Sequence, residues 1–259
     1  PGDNATTSMV AAGKADFGIS YQEDVTYALT SEDPLPIKTI ATIIQHNTSG
    51  FVSLKSANIN SVKDFEGKTY AGWGAPSEEA VIKAVMNEAG ADFSKLNIVG
   101  SDGSGIAGLS DEVGKNKVNL GWEFYGWAII KALQDGYDLN YMPLAELDNR
   151  LDYYTPVIIT NKKMIEKNSD TVKKFMEATK KGYEYAIDHP SKAAEILHED
   201  ALSDTDLKFL KESQKYLSSQ YAKDADSWGV MKDSVWDNYT DFMYETGLIS
   251  QKIDAKDQY

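Results

Sequence analysis

The amino-acid sequence predicts an α/β protein with a helical C-terminal tail. Before Asn168, short apolar strands alternate with helical patterns, which is typical of a mostly parallel sheet. From Asn168 onward, apolar residues recur at helical spacing alone. A length of 259 residues suits one large unit or two lobes with room for a sizeable core.

The composition excludes several classes of protein. Hydrophobic residues make up 42% and charged residues 25%, as in folded globular proteins and unlike disordered chains. The net charge of -14 repels phosphate backbones and anionic lipids, so nucleic acid is not an expected partner. The absence of cysteine excludes disulfides, thiolate chemistry and iron–sulfur clusters. No apolar run approaches the about 20 residues of a membrane span.

The N-terminal part is predicted to form a helix followed by two strands. Asn4 can cap a helix that runs to Ala12, and Gly13 suits the left-handed residue that ends it. Strands are expected over residues 15–20 and 37–44, because both are short apolar runs that end at polar residues.

The middle of the chain continues the alternation of strands and helices. Pro76 suits the first turn of a helix, and Glu78 and Glu79 suit its positive end. Gly90 ends this helix. Further strands are predicted over residues 51–54, 68–72, 96–99 and 118–122.

The tail is predicted to contain four helices. The first carries its apolar face at Val172, Phe175, Met176, Thr179, Tyr183 and Ala186. The other three are centred near Ala193, Leu210 and Tyr239. The sequence has no internal repeat and no flexible linker, so any division into lobes must come from strands that cross between them.

Motifs of common enzymes are absent or incomplete. The histidines His46, His189 and His198 form no HExxH pair, so a zinc hydrolase is not expected. The stretch 67–69 resembles the end of a phosphate-binding loop, but Val62 replaces its opening glycine. No serine has the flanking glycines of a nucleophile elbow. We therefore expect no catalytic residues, no metal and no cofactor.

One glycine motif leaves an alternative function open. Gly103 to Gly108 fits the GxGxxG pattern, follows a predicted strand and has Glu123 about 20 residues after its first glycine. This pattern would suit an NAD(P)-dependent oxidoreductase. Against it, Gly114 breaks the following segment and leaves little helix to bind a pyrophosphate.

A cluster of aromatic residues surrounds one carboxylate where a predicted strand ends. Residues 121–127 read GWEFYGW, with Glu123 among them. Tyr21, Trp73 and Trp122 all stand at predicted strand ends beside polar residues, and ligands of open α/β sheets bind outside such ends. The alternative interpretation is that the aromatic residues belong to the core and that Glu123 is a solvated helix cap.

Five segments resemble the solute-binding proteins of ABC importers for the pyrimidine precursor of thiamine. They are GKADFGISYQ (13–22), GWGAPSEE (72–79), GWEFYGW (121–127), DYYTPVIIT (152–160) and GYEYAIDHP (182–190). The resemblance covers most of the chain. It implies a type II periplasmic-binding-protein fold, in which two α/β lobes, joined by two crossing strands, close on a ligand. It also implies that a further strand and helix of the family precede Pro1 and are missing here.

The resemblance implies how the chain divides and that it is not an enzyme. Crossings near Thr48 to Phe51 and Asp152 to Thr155 would place residues 1–50 and 154–259 in lobe 1 and residues 51–153 in lobe 2. Fungal enzymes of the same fold family build the pyrimidine from an active-site histidine and carry a cluster of cysteines. This chain has none, which favours a binding protein over a synthase.

The function implied by the resemblance is extracytoplasmic binding of an aminopyrimidine, of the hydroxymethylpyrimidine or formylaminopyrimidine type, for delivery to a membrane permease. We expect a monomer, periplasmic or lipid-anchored, whose signal has been removed, because the chain starts at Pro1 without an initiating Met. Besides the oxidoreductase, an importer protein for another flat aromatic ligand, such as a flavin, is an alternative.

Candidate ligand-binding residues are carried over from the family's strand-end loops. Glu123 is expected to accept hydrogen bonds from the amino group of the ring, while Trp73, Tyr21 or Trp122 stacks on its face. The other candidates are Ser20, Gln22, Thr48, Ser49, Gly50, Phe51, Gly74, Ser77 and Tyr125. Arg150 is the one arginine in the chain, and the usual partner of an oxyanion is arginine, so an anionic ligand is disfavoured.

Overall fold

The computed structural model describes residues 5–114 and 117–259, and the chain divides into two compact units. Unit 1 contains Pro1–Asn47 and Asp152–Tyr259, and unit 2 contains Thr48–Leu151. The chain therefore passes between the units twice. The predicted cap Asn4 lies outside the described residues.

The predicted helices and strands occur in the predicted order, together with elements that were not predicted. In chain order they are α1 (Thr6–Ala11), β1 (Phe17–Ser20), α2 (Gln22–Thr30), β2 (Ile37–Thr42), β3 (Ser49–Leu54), β4 (Thr69–Gly72), α3 (Pro76–Glu88), β5 (Asn97–Gly100), β6 (Leu120–Phe124), α4 (Ile130–Gln134), β7 (Leu139–Pro143), α5 (Leu144–Leu147), β8 (Val157–Asn161), α6 (Lys162–Lys167), α7 (Ser169–Asp188), α8 (Pro190–Asp200), α9 (Leu207–Ser218), α10 (Asp233–Glu245) and α11 (Ala255–Gln258). The predicted strands and the four tail helices are confirmed, with small shifts at their ends. The elements that were not predicted include α2, β7 and β8. Among the described residues, no helix is both long enough and apolar enough to cross a membrane.

The two sheets differ from the predicted parallel arrangement. Unit 1 has the strand order β1-β8-β2, and β8 is antiparallel to both neighbours. Unit 2 has the order β5-β4-β6-β3-β7, in which β4 is parallel to β5 and β6, whereas β3 is antiparallel to β6 and β7. Most pairings between the named strands are therefore antiparallel, and the prediction of a mostly parallel sheet is wrong.

The antiparallel pairings in the two sheets have one cause. β3 is the first strand after the first passage between the units, and β8 is the first strand after the second passage. Each is inserted between strands that run parallel to one another: β1 and β2 flank β8, and β6 and β7 flank β3. The alternation of strands and helices predicts the direction of the flanking strands, but it carries no signal for the inserted strand.

The core of unit 1 packs helices α1, α2 and α10 against the sheet. Val10, Val25, Ile37 and Trp236 are fully buried in one hydrophobic cluster. Full burial of such side chains contributes about 1.5 to 3 kcal/mol each. Sheet and helices of this unit are thereby held in one body.

Gln22, a predicted ligand-binding residue, belongs to this core. Its side chain is fully buried, accepts a hydrogen bond from Tyr154 N at 2.9 Å, and donates to Val235 O at 3.2 Å and Trp236 O at 3.4 Å. Because its amide is used in these bonds, Gln22 ties α2 and α10 to the segment before β8. These bonds give Gln22 a structural role, and its predicted role in ligand binding stays a prediction.

A histidine and an aspartate join the two chain segments at which unit 1 gives way to unit 2. His46 Nδ1 donates to Asp152 Oδ2 at 2.7 Å, and Asn47 N donates to Asp152 Oδ1 at 2.8 Å. The Nε2 atom of His46 lies 3.3 Å from Asp224 Oδ2. The hydrogen bond with Asp152 raises the pKa of His46, against partial burial and the nearby charge of Lys223, which lower it.

This ion pair predicts a pH-dependent part of the stability of unit 1. Because the folded-state pKa is raised, the stabilisation is fully present below the unfolded pKa of about 6.5 and is lost as pH rises through the folded value. We expect His46→Gln to lower the free energy of unfolding by about 1 kcal/mol or less at about pH 6, and by less still at about pH 9.

Urea unfolding of the parent and the variant at both pH values measures this difference. His198→Gln, on α8, is the control for replacing a histidine outside this ion pair. An equal effect of His46→Gln at both pH values would contradict the assignment.

Candidate functional site

The candidate residues of unit 2 meet at one edge of its sheet. Gly72 at the end of β4 pairs with Gly100 at the end of β5 in parallel register. Gly50, near the start of β3, pairs with Glu123 on β6 and with Pro143 on β7. The carboxyl ends of β4, β5, β6 and β7 therefore lie at the same edge, which is where open α/β sheets bind ligands.

Glu123 is a half-buried carboxylate at this edge. Burial raises the pKa of Glu123 above its usual range. No hydrogen bond or ion pair to its carboxylate is found among residues 5–114 and 117–259. An unpaired, desolvated carboxylate is costly to a fold, and such groups concentrate at functional sites. The carboxylate of Glu123 is therefore able to accept hydrogen bonds that no described residue supplies.

The alternative role of Glu123 as a helix cap is not supported. The residue lies within β6, and the residue that precedes the turn of π-helix at Tyr125–Ile129 is Phe124. Instead, Glu123 lies beside the glycine-rich loop after β5: a Cβ atom built on Gly105 would be 3.6 Å from Glu123 Oε1. This is an ordinary van der Waals distance, so the loop and the carboxylate are neighbours.

Two tryptophans provide aromatic surface at the same edge. The rings of Trp73 and Trp122 meet at 5.2 Å with an interplanar angle of 61°, and Trp73 is 59% exposed. Trp122 also contacts Phe51 at 5.7 Å, and Phe51 is fully buried. Because successive strand residues point to opposite faces, Trp122 and Glu123 flank the end of β6 on either side.

Glu78 is a functional candidate that the sequence analysis treated only as a helix-end charge. Its carboxylate is buried and accepts hydrogen bonds from Trp73 N at 3.2 Å, from Gly74 N at 2.9 Å and from the hydroxyl of Tyr70. Burial, followed by the bond to Glu78, raises the pKa of Tyr70 far above its usual range. The sequence does contain a signal for this role, because Glu78 is the third residue of α3. A glutamate at this position can accept hydrogen bonds from the backbone N–H groups that have no partner within the helix.

Tyr125 and Thr48 are held together through the backbone. Tyr125 N donates to Thr48 O at 2.9 Å, and the hydroxyl of Tyr141 donates to the same oxygen at 2.8 Å. The rings of Tyr125 and Tyr141 also meet at 5.3 Å. The start of unit 2 is thereby anchored to the turn of π-helix, a rare conformation that is frequent at functional sites.

The remaining candidates divide between buried and accessible positions. Ser20, Ser49, Phe51 and Ser77 are buried. Gly50 leaves no room for a side chain, because a Cβ atom would lie 2.4 Å from Met142 O. Tyr21 is 48% exposed and Gly74 is exposed. Of the candidates, Ser20, Tyr21 and Gln22 lie in unit 1, and the others lie in unit 2.

The glycine motif does not form a dinucleotide-binding turn. Gly105–Gly108 is a single turn of 3₁₀ helix, and no α-helix begins between residues 101 and 114. A pyrophosphate site of this type needs the N-terminus of a following helix. The loop instead supplies the backbone beside Glu123.

The arginine available for anion binding is already engaged. Arg150 Nη2 lies 2.6 Å from Asp148 Oδ2, and Arg150 Nε donates to both oxygens of Asp148 at 3.1 Å. Within residues 5–114 and 117–259, no group of three or more histidine, aspartate or glutamate side chains is arranged to hold a metal ion.

The fold matches those of known solute-binding proteins. The alkanesulfonate-binding protein SsuA from Xanthomonas axonopodis pv. citri, bound to MOPS, superposes with a TM-score of 0.71 at 12% identity over 97% of this chain and 82% of that one. This confirms the predicted periplasmic-binding-protein fold. The desulfurization enzyme DszB has the same fold, with a TM-score of 0.67 at 10% identity over 99% of this chain and 84% of the enzyme.

Two characterised proteins are similar in sequence. The formylaminopyrimidine-binding protein of Halalkalibacterium halodurans is 26% identical over 198 residues, which cover 73% of this chain and 56% of that protein. The riboflavin-binding protein RibY of Chloroflexus aurantiacus is 24% identical over 250 residues, which cover 89% of this chain and 66% of RibY. The chain thus spans less than two thirds of the length of either relative. Because its residues 1–193 match the family described as NMT1/THI5 like, the chain belongs to that family.

Proposed function

We propose that this chain is the solute-binding component of an ABC importer, that it is extracytoplasmic, and that it binds an aminopyrimidine precursor of thiamine without catalysing a reaction. The observation that carries the proposal is the half-buried carboxylate of Glu123, which has no partner among the described residues, beside the tryptophans of the same sheet edge. The similarity to a formylaminopyrimidine-binding protein supports the ligand class. That the ligand is held between two lobes, and released to a permease, stays a prediction from the family resemblance.

The chemistry of the edge suits a flat ring with an amino group. A carboxylate accepts hydrogen bonds from amino N–H groups, and an exposed indole offers a face for stacking. A ligand at the end of β6 and β4 can use the carboxylate of Glu123 on one side and the ring of Trp73 on the other. No side chain needs to attack, protonate or oxidise the ligand for this function.

A sulfonate fits this edge poorly, although the fold is shared with a sulfonate-binding protein. Sulfonates and other oxyanions need donors such as arginine, and Arg150 is paired with Asp148. Glu123 would repel an anion at short range.

A flavin is the second candidate ligand, and the similarity to RibY favours it. The isoalloxazine ring is also flat and stacks on indole faces. Its pyrimidine part presents two carbonyl oxygens around a single N–H group, so it offers a carboxylate fewer donors than an amino group does. We therefore place the flavin second.

A ligand panel tests the proposal directly. Thermal unfolding is measured with hydroxymethylpyrimidine, formylaminopyrimidine, thiamine, riboflavin, an alkanesulfonate and NAD+. We expect stabilisation by the two pyrimidines, amounting to about 2.7 kcal/mol when the ligand is present at about a hundred times its Kd. Stabilisation by riboflavin alone would replace the aminopyrimidine with the flavin, and stabilisation by NAD+ alone would reinstate the oxidoreductase.

Replacement of Glu123 separates binding from stability. Glu123→Leu removes both acceptor oxygens and keeps a similar size, so we expect the Kd for the preferred pyrimidine to rise about tenfold or more. Because the half-buried carboxylate has no partner in the described part of the chain, its removal should not lower the melting temperature. Titration calorimetry and thermal unfolding measure the two effects, with the exposed Glu79→Gln as control. Unchanged affinity in Glu123→Leu would contradict the proposed site.

Shortening Trp73 tests the stacking partner. Stacking of a base on an aromatic side chain contributes about 1 to 3 kcal/mol, so Trp73→Ala should raise the Kd about tenfold. Trp73→Phe keeps a ring and should give a smaller loss. The exposed position predicts little change in melting temperature for either variant. Equal affinities for the parent, Phe and Ala proteins would move the stacking face elsewhere.

A further inference from the structure

Trp73 is the most accessible ring of the edge, and its exposure raises the question of what orients it. With 59% of its surface exposed, the indole is not held by close packing, and its ring contact is an edge-to-face one with Trp122. A ring in such a position takes its direction from the backbone that carries it. The backbone N–H groups of Trp73 and of Gly74 both donate to the carboxylate of Glu78.

We propose that Glu78 is a positioning residue that holds the turn of Trp73 and Gly74 in the conformation in which Trp73 stacks on the ligand. The inference rests on the proposed function for the identity of the ligand. The geometry of the turn stands independently of that identity.

The sequence around the turn is built to admit this carboxylate. A Cβ atom on Gly72 would lie 2.0 Å from Glu78 Oε1 and 2.6 Å from Oε2, so the carboxylate fills the volume that any other residue at position 72 would need. Gly74 has a φ of +80°, a left-handed conformation that favours glycine. Both glycines of the GWG sequence are therefore explained by the position of one carboxylate and by the turn that it binds.

Glu78 also ties this turn to two rigid elements. It lies in the first turn of α3, which Pro76 begins, and its carboxylate accepts the hydroxyl of Tyr70 on β4. Tyr70 is itself fully buried and lies 6.2 Å, ring to ring, from Phe51. The turn is thereby fixed to the strand that precedes it and to the helix that follows it.

Amide hydrogen exchange tests the positioning without any ligand. Glu78→Gln keeps the shape of the side chain but replaces one acceptor oxygen with an NH2 group, so one of the two backbone donors loses its acceptor. We expect exchange at Trp73 N–H or Gly74 N–H to become about tenfold faster, as measured by NMR. Exchange at Ser101 N–H, which donates to Gly72 O at 2.7 Å, is the internal reference and should stay unchanged.

A double-mutant cycle tests the consequence for binding, with the pyrimidine that stabilises the parent most strongly as the probe. We expect Glu78→Gln to raise the Kd about fivefold to tenfold in the parent and to have little effect in a Trp73→Ala background, because the two changes remove the same interaction. Glu79→Gln removes a neighbouring exposed charge from the same helix end and should leave affinity and exchange unchanged.

Glu78→Asp separates the positioning of the turn from the effect of the charge on the helix dipole. It also replaces Glu78→Gln as the test variant if Glu78→Gln fails to fold. The aspartate keeps the charge at the N-terminus of α3 but is one methylene shorter, so positioning predicts faster exchange and weaker binding in this variant too. Full rescue by Asp, unchanged exchange at both amides, or additive effects in the cycle would each overturn the proposal. Faster exchange in a protein that binds no pyrimidine would overturn the proposed function and would still support the role of Glu78 in the turn.

Discussion

The buried carboxylate of Glu78 is the interaction on which the edge of the unit 2 sheet depends. A buried carboxylate without partners costs several kcal/mol, and Glu78 meets this cost with two backbone N–H groups and the hydroxyl of Tyr70. The carboxylate occupies the space that a side chain at position 72 would need, which accounts for Gly72. The turn that donates to the carboxylate places Trp73 at the surface. One satisfied polar group thus determines the shape of the backbone around an accessible aromatic ring.

Glu123, at the same edge, shows the opposite arrangement. Its carboxylate is half-buried, and the part of the chain that the structure describes offers it no hydrogen bond and no ion pair. Such a group does not stabilise the fold, whereas it can accept hydrogen bonds from a ligand that has N–H donors. The two carboxylates lie near enough to Tyr70 for both to raise the pKa of its hydroxyl. The rule that a buried polar group has hydrogen-bond partners is satisfied at Glu78 and violated at Glu123. Violations of this kind are expected at functional sites.

Much of the fold could be predicted from the sequence, because the strands and helices have clear apolar periods. The alternation could not reveal that β3 and β8 are inserted antiparallel, since strand direction depends on partners distant in the chain. Sequence position likewise placed Gln22 and Phe51 near a ligand because they follow or begin strands, whereas their side chains point into the cores. Glu78 was missed for the converse reason: a glutamate in the first turn of a helix is common on surfaces, and only the packing of Gly72 against it reveals its burial.

The comparison with solved structures shows that this fold does not by itself determine which ligand is bound. The same fold serves a sulfonate-binding protein and an enzyme, so the fold fixes the edge but not the chemistry. In this chain the side chains at that edge are a carboxylate and indole rings, while Arg150 is bound by Asp148. An anionic ligand would need the reverse charge at the end of β6. Under the proposed function, the sign of the charge at position 123 and the rigidity of the Trp73 turn are thus the physical basis on which the site would prefer a neutral, amino-bearing ring to an oxyanion.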